Sequence, residues 1–146
     1  MSPAPVIDGL DDGDTSATYV RRVLPSCLTK NLDTGVVELL PQKTFRFNPD
    51  LSIHSVPMIL ALESTVEDEY EVPPNWVLSV PISELLETGA FLKSTPHDKE
   101  PVLGPAHHSV FGSSLTPSKT DKANMRDILM RNVSWMGGQP NATAVP

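Results

Sequence analysis

The chain of 146 residues contains a single cysteine, Cys27. One thiol excludes an intramolecular disulfide framework and a cysteine-built zinc knuckle, and that usage suits a reducing cytoplasm. No run approaches the roughly 18 apolar residues of a membrane span, so no membrane partner is expected. The opening stretch MSPAPVIDGLDDGD lacks a basic segment followed by an apolar one, which predicts no secretory signal and a cytoplasmic protein. On that reading the N-x-S/T matches at Asn132 and Asn141 meet no glycosylation machinery. Basic residues are the minority, 11 against 18 acidic, for a net charge of -7. A field of that sign repels a phosphate backbone, so nucleic acid is not an expected partner. The spacings of GxSxG, the P-loop, GxGxxG, zinc fingers and EF-hands are also missing, and no cofactor is expected.

Proline, by contrast, is abundant. Its fifteen copies are about twice the usual share of roughly 5%, and they gather at element junctions and at both ends, which predicts short elements and ordered turns. The length fits one domain, able to bury a core without staples. Acid is concentrated in Asp8, Asp11, Asp12 and Asp14 and again in Glu63, Glu67, Asp68, Glu69 and Glu71, both read as solvated segments. Residues 1–16 are expected to form a flexible acidic arm and 137–146 a flexible tail, because neither holds enough apolar surface to offset the entropy of ordering. The domain proper is then 17–136.

Within it, YVRRVL (19–24) is β-branched and aromatic enough for a strand, ended by Pro25. GVVELL follows a turn signal and is expected beside it. KTFRF reads as a third strand with Phe45 and Phe47 on one face. LSIHSV (51–56) alternates as a strand, and PMILALES (57–64) as a helix with Pro57 in its first turn. The acidic stretch 63–71 reads as a loop or frayed helix end. Residues 75–94 predict strand, short helix and strand, with Gly89 as the helix stop. AHHSVFG predicts another strand. SKTDKANMRDILMRNV is the best helix in the chain, with Ser118 and Asp121 as a capping box and Met125, Ile128, Leu129 and Val133 as its apolar stripe. It carries +2 in a chain of -7, suited to an acidic segment of its own chain or an acidic partner. The fold class is α+β: one domain with a mixed or mainly antiparallel sheet of about five short strands and two or three helices.

Five residues are candidates for ligand binding. His107 and His108 are adjacent on a strand, so their rings point to opposite faces and cannot both hold one metal ion; a metal would need His54 or His97 with a carboxylate such as Asp98, and no H-x-x-x-H or H-E-x-x-H spacing supplies it. No metal site is assigned. One of the two histidines, with His107 preferred, is expected to face the opening arginine strand as a ligand contact or acid/base, or else to be a ring hydrogen-bonded where the strand begins. Arg21 and Arg22 likewise diverge, and the one that faces inward needs a counter-charge, either a carboxylate such as Glu63 or Glu84 or a bound anion. His54 completes the set. Cys27 lacks a nucleophile signature and reads as packing.

With an arginine of its opening strand at an anion site beside His107 or His108, the chain would resemble small ADP-ribosyl-transferring folds, where an opening strand with Arg or His contacts the pyrophosphate side of a dinucleotide; their later serine and glutamate signatures have no counterpart here. YVRRVLP, FRFNPDLSI, VLSVPISELLETG and PAHHSV before a basic helix, together spanning about 19 to 135, also resemble a widespread group of short bacterial and phage proteins with an R-R-x-x-P strand and a P-x-H-x-x-V strand. The chain departs from that pattern where a Ser/Thr-rich step precedes the phenylalanine, keeping only Thr44. The resemblance implies a bacterial or phage origin, an α+β domain and His107 as the matching histidine, and it implies no activity. Two functions are therefore expected: a non-catalytic acidic accessory module that pairs with another protein, such as a larger effector or toxin, or a small nucleotide-handling enzyme with Arg21 or Arg22 and His107 at an anion pocket.

Overall fold

The computed structural model describes residues 12–47, 50–72, 76–113, 117–138 and 140. Its centre is β1 (Tyr19–Arg22), flanked by β4 (Leu51–Ser55) and β5 (Val77–Ser79). The sheet is completed by β7 (His107–Phe111) and β6 (Phe91–Ser94) beyond β4, and by β8 (Ser134–Trp135) beyond β5, giving the order β6-β7-β4-β1-β5-β8. Every pairing in it is antiparallel. The class is α+β in a single domain, as the alternation of short strands and helices predicts.

Period-two alternation sorts the strand residues between two faces. Leu51 and Ile53 of β4, Leu78 of β5, Val110 of β7 and Tyr19 of β1 enter the main core with Phe45 and Phe47. Helix α6 (Lys119–Asn132) covers that face through Met125 and Leu129, and its first turn is closed by the reciprocal Ser118–Asp121 capping box. Helix α4 (Ser83–Leu86) adds Leu85 to the same core, and Gly89, at φ +96°, turns the chain out of it where a side chain would be strained. Although β5, α4 and β6 follow one another in sequence, the two strands lie apart in the sheet with β1, β4 and β7 between them.

The opposite face carries a smaller cluster. Val20 and Val77 meet Ile59 of α2 (Val56–Ala61), Val66 and Tyr70 of α3 (Val66–Tyr70), and Leu103 and Ala106 of α5 (Leu103–Ala106). Helix α2 starts where Ser55 accepts the Met58 amide and proline occupies its first turn.

Several expectations are corrected. GVVELL does not pair with β1: β3 (Val37–Leu39) forms a separate two-stranded sheet with β2 (Leu28–Lys30), because the 3₁₀ turn Pro25–Cys27 redirects the chain after β1. The KTFRF strand is replaced by α1 (Pro41–Thr44), with Pro41 in the first turn; Phe45 and Phe47 are both buried, but from the coil after the helix. Part of the 63–71 acidic stretch is α3, capped by Thr65 on the Asp68 amide, with Glu67, Asp68 and Glu69 stabilised against the positive helix N-terminus. The arm expected over 1–16 is anchored from Asp12 onward: Asp12 pairs with Lys93, the Gly13 amide donates to the Leu92 carbonyl, and Tyr19 Oη donates to the Asp14 carbonyl. Residues 1–11 lie outside the described residues, as does all of the expected tail from residue 141. Among the described residues no helix is long and apolar enough to cross a membrane.

Candidate functional site

Strand β4 places Ser52 and His54 opposite its buried Leu51 and Ile53, and β7 does the same for His107 against His108. Since β4 and β7 pair with His54 directly across from His107, two imidazoles meet on the smaller face, centroids 5.4 Å apart. A third ring, His97, comes from the loop after β6 and lies 5.3 Å from His107. That loop closes on α5 through the His97 amide and the Gly104 carbonyl; a side chain at Gly104 would strike the His97 carbonyl oxygen, so the approach depends on glycine. Tyr70 of α3 completes a run of four rings, 5.4 Å from His54.

The rings are held by hydrogen bonds. His54 Nδ1 lies 2.7 Å from Tyr70 Oη, which also lies 3.2 Å from the Val20 carbonyl. His107 Nδ1 lies 3.1 Å from the Thr95 carbonyl, which can only accept, and 2.7 Å from Thr95 Oγ1, itself 2.9 Å from Ser109 Oγ. Burial drives His54 down to about 3, reinforced by His107, Arg21, His97 and His108. Burial lowers His107 as well, against the opposing pull of the Thr95 carbonyl. The Tyr70 hydroxyl is pushed up, again by burial. At neutral pH the His54 ring is therefore uncharged and its phenol partner protonated.

His108 turns the other way. It is 3% exposed, packs edge-on against Tyr19 at 5.1 Å and donates from Nδ1 to the Ala106 carbonyl. Arg21 and Arg22 also diverge, but neither finds the expected carboxylate. Arg21 donates from Nε to the Thr44 carbonyl at 2.7 Å and from a terminal nitrogen to the Ser52 carbonyl at 2.5 Å. Thr44 is the last residue of α1, whose terminal carbonyls have no partner inside the helix, so a guanidinium serves as its cap. Arg22 donates to the Tyr70 carbonyl at 3.1 Å and sits over the Tyr70 ring. Glu84 instead pairs with Arg131.

Arg21, Arg22, Ser52, His54 and Tyr70 line one 330 Å³ cleft, with Leu24 and Leu103 as its apolar parts and Glu69, Glu71 and Glu100 as its carboxylates. His107 stands behind His54, and His108 lies across the sheet, outside the cleft. Two guanidiniums against three carboxylates make a site of mixed charge. Among the described residues no group of three His, Cys, Asp or Glu side chains is placed to hold a metal ion. The Cys27 thiol points at the Lys43 carbonyl. Tyr70 was missed by sequence reasoning; the signal was a lone aromatic inside five acids, which has to be anchored somewhere. Comparison with known protein families, with curated proteins and with solved structures finds no match.

Proposed function

We propose that the protein is a cytoplasmic, non-catalytic binding module of a bacterial or phage system, whose cleft receives a basic segment of a larger protein partner. The observation that carries this reading is the commitment of the cleft's cations and Nδ1 atoms. Both arginines are spent on backbone carbonyls, His54 on Tyr70 and His107 on Thr95, while Glu71 and Glu100 at the rim are in no ion pair among the described residues. A rigid polar floor with carboxylates at its edge suits recognition of a cationic side chain beside the apolar Leu24, which is half exposed. An imidazole held near 3 is a poor proton acceptor at neutral pH. Purification from the bacterial host should recover a stoichiometric partner that Glu71→Lys releases without changing the melting temperature; a protein that stays solitary in host extract sinks the reading.

A small nucleotide-handling enzyme of ADP-ribosyl-transferring type is the second reading, favoured by the convergence of Arg21, Arg22 and His54 on one cleft. The rim carboxylates oppose a pyrophosphate there. Dinucleotides should raise the melting temperature if this reading holds, and His107→Ala should abolish the turnover; no shift with any dinucleotide removes it.

A further inference from the structure

On the far side of the sheet, α1 and the exposed side of α6 enclose a second, open groove of 360 Å³. Leu40, Pro41 and Ala123 give it an apolar lining, and Lys43, Arg126 and Asp127 stand at its edges. Its walls are fixed: Arg126 Nε donates to the Phe45 carbonyl at 3.0 Å, tying α6 to the end of α1. Helical spacing sets Lys119 four residues before Ala123 and Lys122 four before Arg126, on the stripe of α6 that carries two of the lining residues. Lys43 and Lys119 are exposed, and Lys43, Lys119 and Lys122 are in no ion pair among the described residues.

This basic patch is carried by a molecule of net charge -7. Asp127 in the lining offsets one of these charges and leaves Lys43, Lys119, Lys122 and Arg126 in excess, while other described acids lie elsewhere: α3 covers the opposite face of the sheet, Asp12 is paired with Lys93, and Asp14 accepts from Ser16. We propose that the α1–α6 groove is a second docking surface, independent of the arginine–histidine cleft, that takes a peptide segment of a partner protein combining acidic residues with apolar ones. Apolar side chains of that segment fill the space over Leu40, Pro41 and Ala123, while its carboxylates meet Lys43, Lys119 and Lys122. A second copy of this chain is disfavoured as occupant because two bodies of charge -7 repel. With a basic groove on one face and an acid-rimmed cleft on the other, the domain joins two partners of opposite charge.

The test follows amide NMR shifts of the full chain during titration with a synthetic peptide alternating Asp or Glu with Leu or Phe. Lys replaces the acids in one control peptide, and Ser replaces the apolar residues in another. Expected are shifts confined to α1 and α6, weakening with salt, a loss of affinity of about tenfold or more in Lys43→Glu/Lys122→Glu, and unchanged binding in Lys30→Glu and in Glu71→Lys. Ala123→Trp, which fills the groove without touching charge, should also block the peptide. The proposal is overturned if the acidic-apolar peptide leaves these amides unmoved, if either control peptide binds equally well, or if a DNA oligonucleotide binds more tightly. It is equally overturned if the chain dimerises through α6, or if binding appears only in Asp8→Asn/Asp11→Asn, which would give the groove to the chain's own acidic opening segment.

Discussion

Under α6, the sheet presents Ile53, Leu78 and Val110 to Phe45, Phe47 and Leu129, an almost wholly apolar layer. The same strands offer the other side Arg22, His54, His107 and Ser109, roofed by the short helices α2, α3 and α5. One face thus holds together by a large area removed from water, the other by a smaller apolar cluster beside a set of polar groups that are tolerated only because each has a partner. The apolar side carries the domain, and the polar side keeps a fixed arrangement of donors and acceptors next to solvent.

The comparison can be broken most severely from the apolar side. Phe45 is fully buried, and Phe45→Ala should cost about 3–5 kcal/mol by lost transfer energy and the cavity left behind; chemical denaturation measures it, and a cost under about 1 kcal/mol would mean that this layer is not the main support. On the polar side the expected lever is pH. Because His54 is held below its usual 6.5, at about 3, the unfolded chain binds the additional proton between those values. The stability that His54 contributes is therefore complete above about 6.5 and is lost as pH falls toward 3, by an amount on the order of a few kcal/mol. His107, also lowered, acts with the same sign. Comparing wild type with His54→Gln across that window isolates the effect from ordinary carboxylate titration; parallel curves would place the ring in water.

A smaller effect sharpens the same contrast. Tyr70→Phe keeps the ring but removes the oxygen shared by His54 and Val20, which should cost about 2 kcal/mol by leaving His54 Nδ1 without its partner, and should raise the His54 pKa readable by NMR if α3 loosens and admits water. Smallest is the helix cap on the apolar side. Ser118→Ala removes the acceptor for the Asp121 amide and should lower stability by about 1 kcal/mol, with no change in the histidine titrations.

Much of this was legible in local pattern. The alternation in LSIHS set Leu51 and Ile53 against Ser52 and His54, proline marked the start of α2, the capping box located α6, and Gly89 ended α4. The readings that failed did so for identifiable reasons. In KTFRF the burial of Phe45 and Phe47 was right and the backbone was wrong, since Pro41 favours a helical first turn and alternation cannot distinguish a strand from a coil whose aromatics both point inward. Helix α3 was hidden by its charge, although Thr65 with three acids behind it is a capping pattern. The carboxylate expected for Arg21 or Arg22 failed because the carbonyls of Thr44 and Ser52, 23 and 31 residues away from Arg21, cannot be foreseen from spacing.

The divergence of His107 from His108, and of Arg21 from Arg22, was determined by the sequence alone, because the two-residue period of a strand is a property of the backbone at each position. Which strands became neighbours was decided only by the tertiary structure. Setting His54 across from His107, bringing His97 beside them over Gly104, and lowering Tyr70 onto His54 all join parts of the chain separated by long stretches. Such contacts depend on loop closure and on the packing of whole faces, and these depend on the entire chain at once.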